Sequence, residues 1–535
     1  MARTAPLKIL FVLQHAGFTR FFESTIIRLV ERGHHVHLAL SQSDWKTKGL
    51  EGLEAYAQTN ERLIIDRTEF PVRTDLWKHL TAWTRSVHDY LLFLDSRYNH
   101  AGYLRSRSGE RLPEWANGLQ RAPHLPPFLA RLVRHAWGWL EHVAPPAPEV
   151  DAHLRRIAPD VLVVTPLIGK HMAQTDLMKS ARAAGIPAGL CVASWDNLSC
   201  KGLIHVKPDR LFLWNATQHR EAVDFHGLAP GRVTVTGAQP FDIWFDREPT
   251  ITREEFCRRV GLPPDRPYVL FTASSPQING PEQEAEIVTR WIEAVRATPE
   301  GRELSLLIRP HPVQHAHLEA LDRCRPDVVV YPAYSINPVA PEDRADYFHS
   351  IYFSSAVVGI NTSAMVEATI LNRPVLTVLV GDLSTQGETL HFRYLLPENG
   401  GFLIVANDFE EHARQLAEVV RSPAAQVARL EQFVGHFLRP RGRDVAAVEH
   451  LVEGIEGLAS LPVRPRTAPA LAGLLRRLVE PRLPQLTRQA VVEEAERLER
   501  QQRKVERQRA REARQAAKEA GRPASGKGIP ARAGD

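Results

Sequence analysis

Residues 357–379, VVGINTSAMVEATILNRPVLTVL, set Asn361, Thr362 and Ser363 between an apolar strand and a helix. A helix start has backbone N–H groups without partners and a partial positive charge, so this trio suits a phosphate. Glu367 follows Ser363 by four residues, which places it on the same helix face one turn deeper. A carboxylate there can hold a sugar hydroxyl. The spacing predicts a helix of about ten residues, ended by Pro374 before a second apolar strand. The same pattern also suits an ordinary αβ unit with a polar cap. Arg309 and His311 lie in RPHP (309–312), after the apolar run LSLLI. A guanidinium forks two donors to a phosphate, and a histidine can donate to a diphosphate or a ribose. Ser274 and Ser275, at the end of the run YVLFTAS, are further phosphate contacts, and Gln386, Gly387 and Glu388 can face a transferred group. Ser194-Trp195-Asp196-Asn197 is a polar loop after a buried strand, at the end where open parallel sheets bind ligands.

The elements that must position these residues alternate. Strands are expected at 7–13, 35–41, 159–165, 188–193, 210–214 and 232–237, with helices at 20–32, 170–184 and 217–226. A proline-rich linker surrounds a short helix at 252–260. Strands follow at 268–274, 304–312, 328–332, 357 onward and 400–407, with helices at 281–298 and 408–421. The chain therefore reads as α/β, with two doubly wound halves facing a cleft. The expected division is 1–240 for an acceptor half, 241–460 for a nucleotide-donor half and 461–535 for a basic charged tail.

Residues 74–148 interrupt the first half as a helical insertion. They hold Trp77, Trp83, Trp115, Trp137 and Trp139, and seven arginines from Arg97 to Trp139 face only Glu110 and Glu114. This surface suits peripheral membrane contact or an anionic lipid-linked acceptor; the tryptophans serve equally well as the core of a helical subdomain. Residues 488–522 carry eleven Lys/Arg and seven Glu, a solvated charged helix or a disordered segment. Mixed signs and missing aromatics disfavour nucleic acid, and weak attraction to an anionic membrane is the second expectation.

A net charge of +5 on 535 residues is mildly basic. Four cysteines without CxxC spacing argue against a zinc site or disulfide framework and fit a reducing cytosol. No apolar run reaches the roughly 18 residues of a membrane span. The turn after the first strand lacks GxGxxG, so no dinucleotide fingerprint is present.

VTVTGAQPFD (233–242), RPHP, the 357–379 stretch and the SWDN and KG elements at 194–202 together resemble one family. They are similar to the GT-B glycosyltransferase superfamily, in the branch of UDP-N-acetylglucosamine 2-epimerases, CDP-glycerol glycerophosphotransferases and surface-polysaccharide transferases. The resemblance covers roughly residues 1–50 and 155–460. It implies two Rossmann-like domains, a donor site at RPHP and the helix after Asn361, and Glu367 as the acid on the ribose. It implies no metal and no cofactor beyond the donor. It also places a catalytic histidine after the first strand, where His15 stands; an imidazole titrating near about 6.5 suits proton removal from a hydroxyl. Asp196 is the rival base, or the group that orients such a histidine. The expected partners are a nucleotide-sugar or CDP-polyol donor and a glycan or lipid-linked acceptor, met in the cytoplasm or at the inner face of the cell membrane. The leading expectation is sugar transfer. Glycerophosphate transfer from a CDP-polyol, 2-epimerisation of a UDP-HexNAc and an inactive scaffold in envelope assembly are the alternatives.

Overall fold

The computed structural model describes residues 5–42, 49–168, 172–276, 278–312, 318, 321, 327–333, 338 and 341–520. Residues 170–171 of the helix expected at 170–184, and the tail beyond 520, lie outside the described residues. Strands β1 (Lys8–Leu13), β2 (His35–Leu40), β3 (Leu63–Ile65), β4 (Val161–Thr165), β5 (Ala188–Cys191), β6 (Arg210–Leu213) and β7 (Val233–Val235) form one sheet in the order β3-β2-β1-β4-β5-β6-β7. Strands β8 (Tyr268–Thr272), β9 (Ser305–Arg309), β10 (Val328–Val330), β11 (Ala356–Gly359), β12 (Val375–Val378) and β13 (Ile404–Ala406) form a second, in the order β10-β9-β8-β11-β12-β13. Every pairing is parallel. Helices cover both faces, which is why the central strands are continuous apolar runs: Ile9 to Leu13, Val161 to Val164 and Tyr268 to Phe271 are wholly buried.

In each sheet the winding reverses between two neighbouring strands, β1 and β4 in the first, β8 and β11 in the second. The loops leaving such a pair diverge to opposite faces and open a crevice at the strands' carboxyl ends. The chain places Ser274 and Ser275 just beyond β8 and Asn361, Thr362 and Ser363 just beyond β11. The residues chosen for their chemistry thus stand at the switch point of the second sheet.

The helical insertion lies between β3 and β4, with helices Trp77–Leu92, Gly102–Gly109 and Pro127–Gly138. It is pinned to the helix Met172–Ala184 by a buried ion network: Arg85 reaches Glu141 and Asp176, each at 2.7 Å, and Lys179 reaches Glu141 at 2.5 Å. Its tryptophans are mainly structural. Trp77 packs with Val143, Ala144, Leu80 and Trp139, and the Trp137 indole donates to the Thr84 carbonyl at 2.8 Å. Trp115 is the exception, stacked on Trp137 but exposed.

The chain crosses between the sheets twice. The helix Ala447–Leu458, which chain order groups with the second half, packs its Leu451, Val452, Ile455 and Leu458 stripe on the first sheet beside Phe11 and Val163. Periodicity reveals the stripe but not which sheet receives it. Asp242 fastens the two crossings. Its carboxylate accepts the N–H groups of Ala447 and Val448 at 3.0 and 2.8 Å and pairs with Arg439 at 2.9 Å. Among the described residues the expected tail is helical over Ala470–Val479 and Leu483–Ala520, and its first part is docked. Ala472 and Leu483 are buried in the Trp77 cluster, and Arg500 pairs with Glu114 at 3.3 Å.

Candidate active site between the two sheets

A cavity of about 180 Å3 lies where the halves meet. Among the described residues, Ser275, Ile278, His311, Asn361, Thr362, Ser363, Thr389 and His391 line it from the second half. Tyr103, Leu104, Arg107, Trp195, Asp196, Cys200 and Lys201 line it from the first. Asp196, Ser275, His311 and the trio 361–363, expected from sequence, therefore share one space. A second compartment of about 640 Å3 adjoins it, sharing Tyr103 and Ile278 and running past Gln283, Leu383, Gln386, Gly387 and Glu388.

The second-half wall is built by close packing. A Cβ on Gly359, at the end of β11, would sit 3.0 Å from Thr272 Oγ1 and 3.1 Å from Met365, so glycine lets the loop cross the β8 end. Asn361 donates to Thr389 Oγ1 at 3.2 Å, and Gln386 donates to the Ile360 carbonyl at 2.6 Å and to Thr377 at 2.8 Å. These bonds hold the trio rigidly. The Ser363 side chain makes no capping bond, and the helix after it, Ala364–Ile370, has seven residues, shorter than expected. Its contribution is therefore a few aimed N–H groups rather than a strong dipole. Ser274 is buried in the wall. Its N–H donates to Glu284 at 3.0 Å, and Asn279 donates to the other Glu284 oxygen at 2.6 Å, which fixes the loop carrying Ser275.

Arg309 and Glu367 do not line the cavity; they form a cluster beside it. The Tyr347 hydroxyl donates to the half-buried Glu367 carboxylate, and the Arg309 guanidinium lies 5.0 Å from the Tyr347 ring centre. Burial outweighs the Tyr347 bond and the nearby Arg20 and Arg309 charges, and pushes Glu367 up to about 7. Arg309 is buried, with Nη1 making no hydrogen bond within the protein. Burial and the Arg20 charge both push His311 down. Arg20, on the first-half helix Thr19–Glu31, thus acts on both groups, and an Arg344–Glu23 pair at 3.6 Å joins the halves nearby. Sequence offered no signal for Arg20.

On the first-half wall, Asp196 pairs with Lys201 at 2.9 Å. Burial opposes its charge, but Lys201, His391 and a bond from Ser194 hold the carboxyl well below the usual carboxylate range. Asn197 belongs to the scaffold, accepting the N–H groups of Ala193 and Ser194 at 3.0 and 3.1 Å. The KG element has a physical meaning. Lys201 balances Asp196, and Gly202, at φ 126°, leaves room for Asp89, whose carboxylate accepts the Leu203 N–H at 2.7 Å. His391 packs edge-on to Trp195 at 4.7 Å, with Nδ1 3.3 Å from Cys200 Sγ; burial pushes it down to about 4. Nothing in its sequence context singled it out. The insertion's Tyr103 and Arg107 were also missed individually: the Tyr103 N–H donates to Glu388 at 2.5 Å, and Arg107 donates to the Cys200 carbonyl at 2.7 Å. His15 is not among the lining residues. Its Nδ1 accepts the Gly17 N–H at 3.1 Å, and its ring packs on Phe18. Among the described residues no group of His, Cys, Asp and Glu is arranged to hold a metal.

No protein-family model and no curated protein sequence matches the chain. Solved structures do. A Listeria monocytogenes protein assigned as a UDP-N-acetylglucosamine 2-epimerase aligns over 86% of this chain and 99% of its own, at 12% identity and a TM-score of 0.51. The UDP-GlcNAc 2-epimerase of Neisseria meningitidis, bound to UDP-GlcNAc, aligns over 84% and 99% at 13% identity and a TM-score of 0.48. A Rickettsia africae glycosyltransferase aligns over 85% and 98% at 10% identity and a TM-score of 0.47. The first of these speaks for the fold and not for the reaction; the looser two add no argument. With its two Rossmann-like sheets and returning helix, the chain has the GT-B fold.

Proposed function

We propose that the protein transfers a sugar from a nucleotide-activated donor to a cell-surface glycan or lipid-linked acceptor. One observation carries the reading: the polar cavity between the halves has a larger compartment beside it, and Tyr103 and Ile278 line both. Transfer needs room for a donor and an acceptor together, whereas epimerisation of a free nucleotide-sugar needs room for one. In this reading the diphosphate meets the N–H groups and hydroxyls of residues 361–363, Ser275 and His311. For Arg309 and Glu367, which stand beside the cavity, the reading requires the donor to extend into their cluster, where Arg309 Nη1 meets a phosphate oxygen and Glu367 accepts from the ribose. Fixed donors that meet the charge developing on the leaving diphosphate stabilise the transition state. On the opposite wall the acceptor hydroxyl donates to Asp196. A carboxylate held anionic by Lys201 is a weak base, so it takes the proton late, as the bond to the anomeric carbon forms.

Thermal stabilisation by UDP, GDP and CDP tests the donor half: UDP or GDP fits sugar transfer, and a response to CDP alone moves the reading to polyol-phosphate transfer. Incubation with UDP-HexNAc and no acceptor tests the rest. Epimer interconversion under those conditions would sink the transferase assignment, and no response to any nucleotide would leave a scaffold.

A further inference from the structure

The helix Ala470–Val479, ALAGLLRRLV, is apolar on two faces, and one of them has no cover. Ala472, Leu475 and Val479 pack into the Trp77–Val143 cluster of the insertion, anchored by Arg476, which donates to the Val143 carbonyl at 2.8 Å. Leu471, Leu474 and Leu478 share the side of the helix that adjoins the packed one, and they are 57%, 56% and 55% exposed. The packed residues use only part of the helix's apolar arc, so the open leucine stripe calls for a partner of its own. Charge identifies it. Arg477 stands beside the stripe on the same helix and Arg482 donates to the Leu478 carbonyl at 2.8 Å; both are exposed, as are Arg464 and Arg488, and Glu480 is the one acidic residue from 461 to 488. A leucine stripe edged by arginines complements a surface with an apolar interior and anionic headgroups.

We propose that this helix seats the protein on an anionic lipid surface. The leucines enter the headgroup boundary, and the arginines meet phosphate-bearing headgroups. Among the described residues no helix is long and apolar enough to cross a membrane, so the contact is peripheral. The helix packs on the Trp77 cluster of the insertion, and another helix of the insertion, Gly102–Gly109, supplies Tyr103, Leu104 and Arg107 to the cavity.

Sedimentation of the full chain with vesicles tests the proposal, using phosphatidylcholine alone and an equimolar mixture with phosphatidylglycerol. The wild type is expected to bind the mixed vesicles, more weakly as salt rises. The L471S/L474S/L478S variant is expected to bind at least about tenfold more weakly. R477E/R488E should weaken binding to mixed vesicles only. Because the substituted side chains are exposed, the melting temperature and nucleotide response should be unchanged, which keeps this test separate from the reading of the cavity. Equal binding to both vesicle types, or binding unaffected by the serine variant, overturns the proposal. So does a serine variant that turns a dimer into a monomer in sedimentation velocity, which would assign the stripe to a second copy of the chain.

Discussion

Glu367 is where chemistry and folding pull against each other most directly. A ribose hydroxyl donates best to a carboxylate, yet burial pushes this group up to about 7. On the proposed role of Glu367 as ribose acceptor, nucleotide affinity should therefore rise as pH climbs through about 7, where its carboxyl becomes charged. Glu367→Gln keeps the shape and removes the titration. Calorimetry should find a flat pH profile and a loss of about 1.5–3 kcal/mol at alkaline pH, the usual worth of a hydrogen bond to a charged group. A variant that keeps the wild-type slope would take the ribose role away from Glu367. Asp196 makes the opposite case, held anionic by Lys201 across the acid range. Asp196→Asn should lower turnover about 100- to 10,000-fold while leaving nucleotide affinity nearly unchanged. Equal losses in both would make it a structural residue.

Elements carry a different kind of evidence, because here one carboxylate ties together the two segments that cross between the halves. Asp242 caps the helix Ala447–Leu458 and neutralises Arg439. Asp242→Ala leaves two helix N–H groups and a buried guanidinium without their acceptor. The expected cost is about 3 kcal/mol, at the low end for a broken buried pair, since Arg439 keeps the Phe245 face and the Arg443 carbonyl. Urea denaturation would measure it, and Asp242→Asn should restore part of the loss. The strands of both sheets were legible because a strand buried on both faces must be apolar throughout, as Ile9–Leu13 and Val269–Phe271 are. The short edge strand β3 was not, since Ile64 is exposed and only Leu63 is deeply buried. Loop residues after β8, β9 and β11 could be found because the fold puts ligands at strand ends. His391 and Tyr103 could not: the first follows no strand directly and the second sits in the insertion, so only the packing of distant segments brings them to the cavity.

At the scale of the molecule, the two halves are held together by polar contacts that respond to pH. Tyr394, from the second half, donates to Glu221 of the first at 2.7 Å, and the other Glu221 oxygen is buried with no hydrogen bond within the protein. Burial, reinforced by the neighbouring Asp196 charge and opposed by Tyr394 and Arg220, pushes Glu221 up to about 8 from a usual value of 4.5. The folded state therefore binds this proton more tightly than the unfolded chain does. The resulting stability is complete below about 4.5 and is lost as pH rises through about 8. Glu284 and Glu367, each pushed up to about 7, act in the same direction, whereas buried histidines pushed down, His226 to about 3 and His391 and His412 to about 4, act in the opposite direction below their usual 6.5, so the decline is expected from about 6.5 to mildly alkaline pH. Glu221→Gln removes the steepest contribution while retaining an acceptor for Tyr394. Denaturation curves across that range should show a shallower decline for the variant, with the difference from wild type growing toward alkaline pH. If the two curves run parallel, Glu221 is ionised in the native protein and the interface tolerates its charge. A variant that gains alkaline stability and opens less readily at alkaline pH would show that ionisation at this contact loosens the halves, coupling cleft opening to the proton on Glu221.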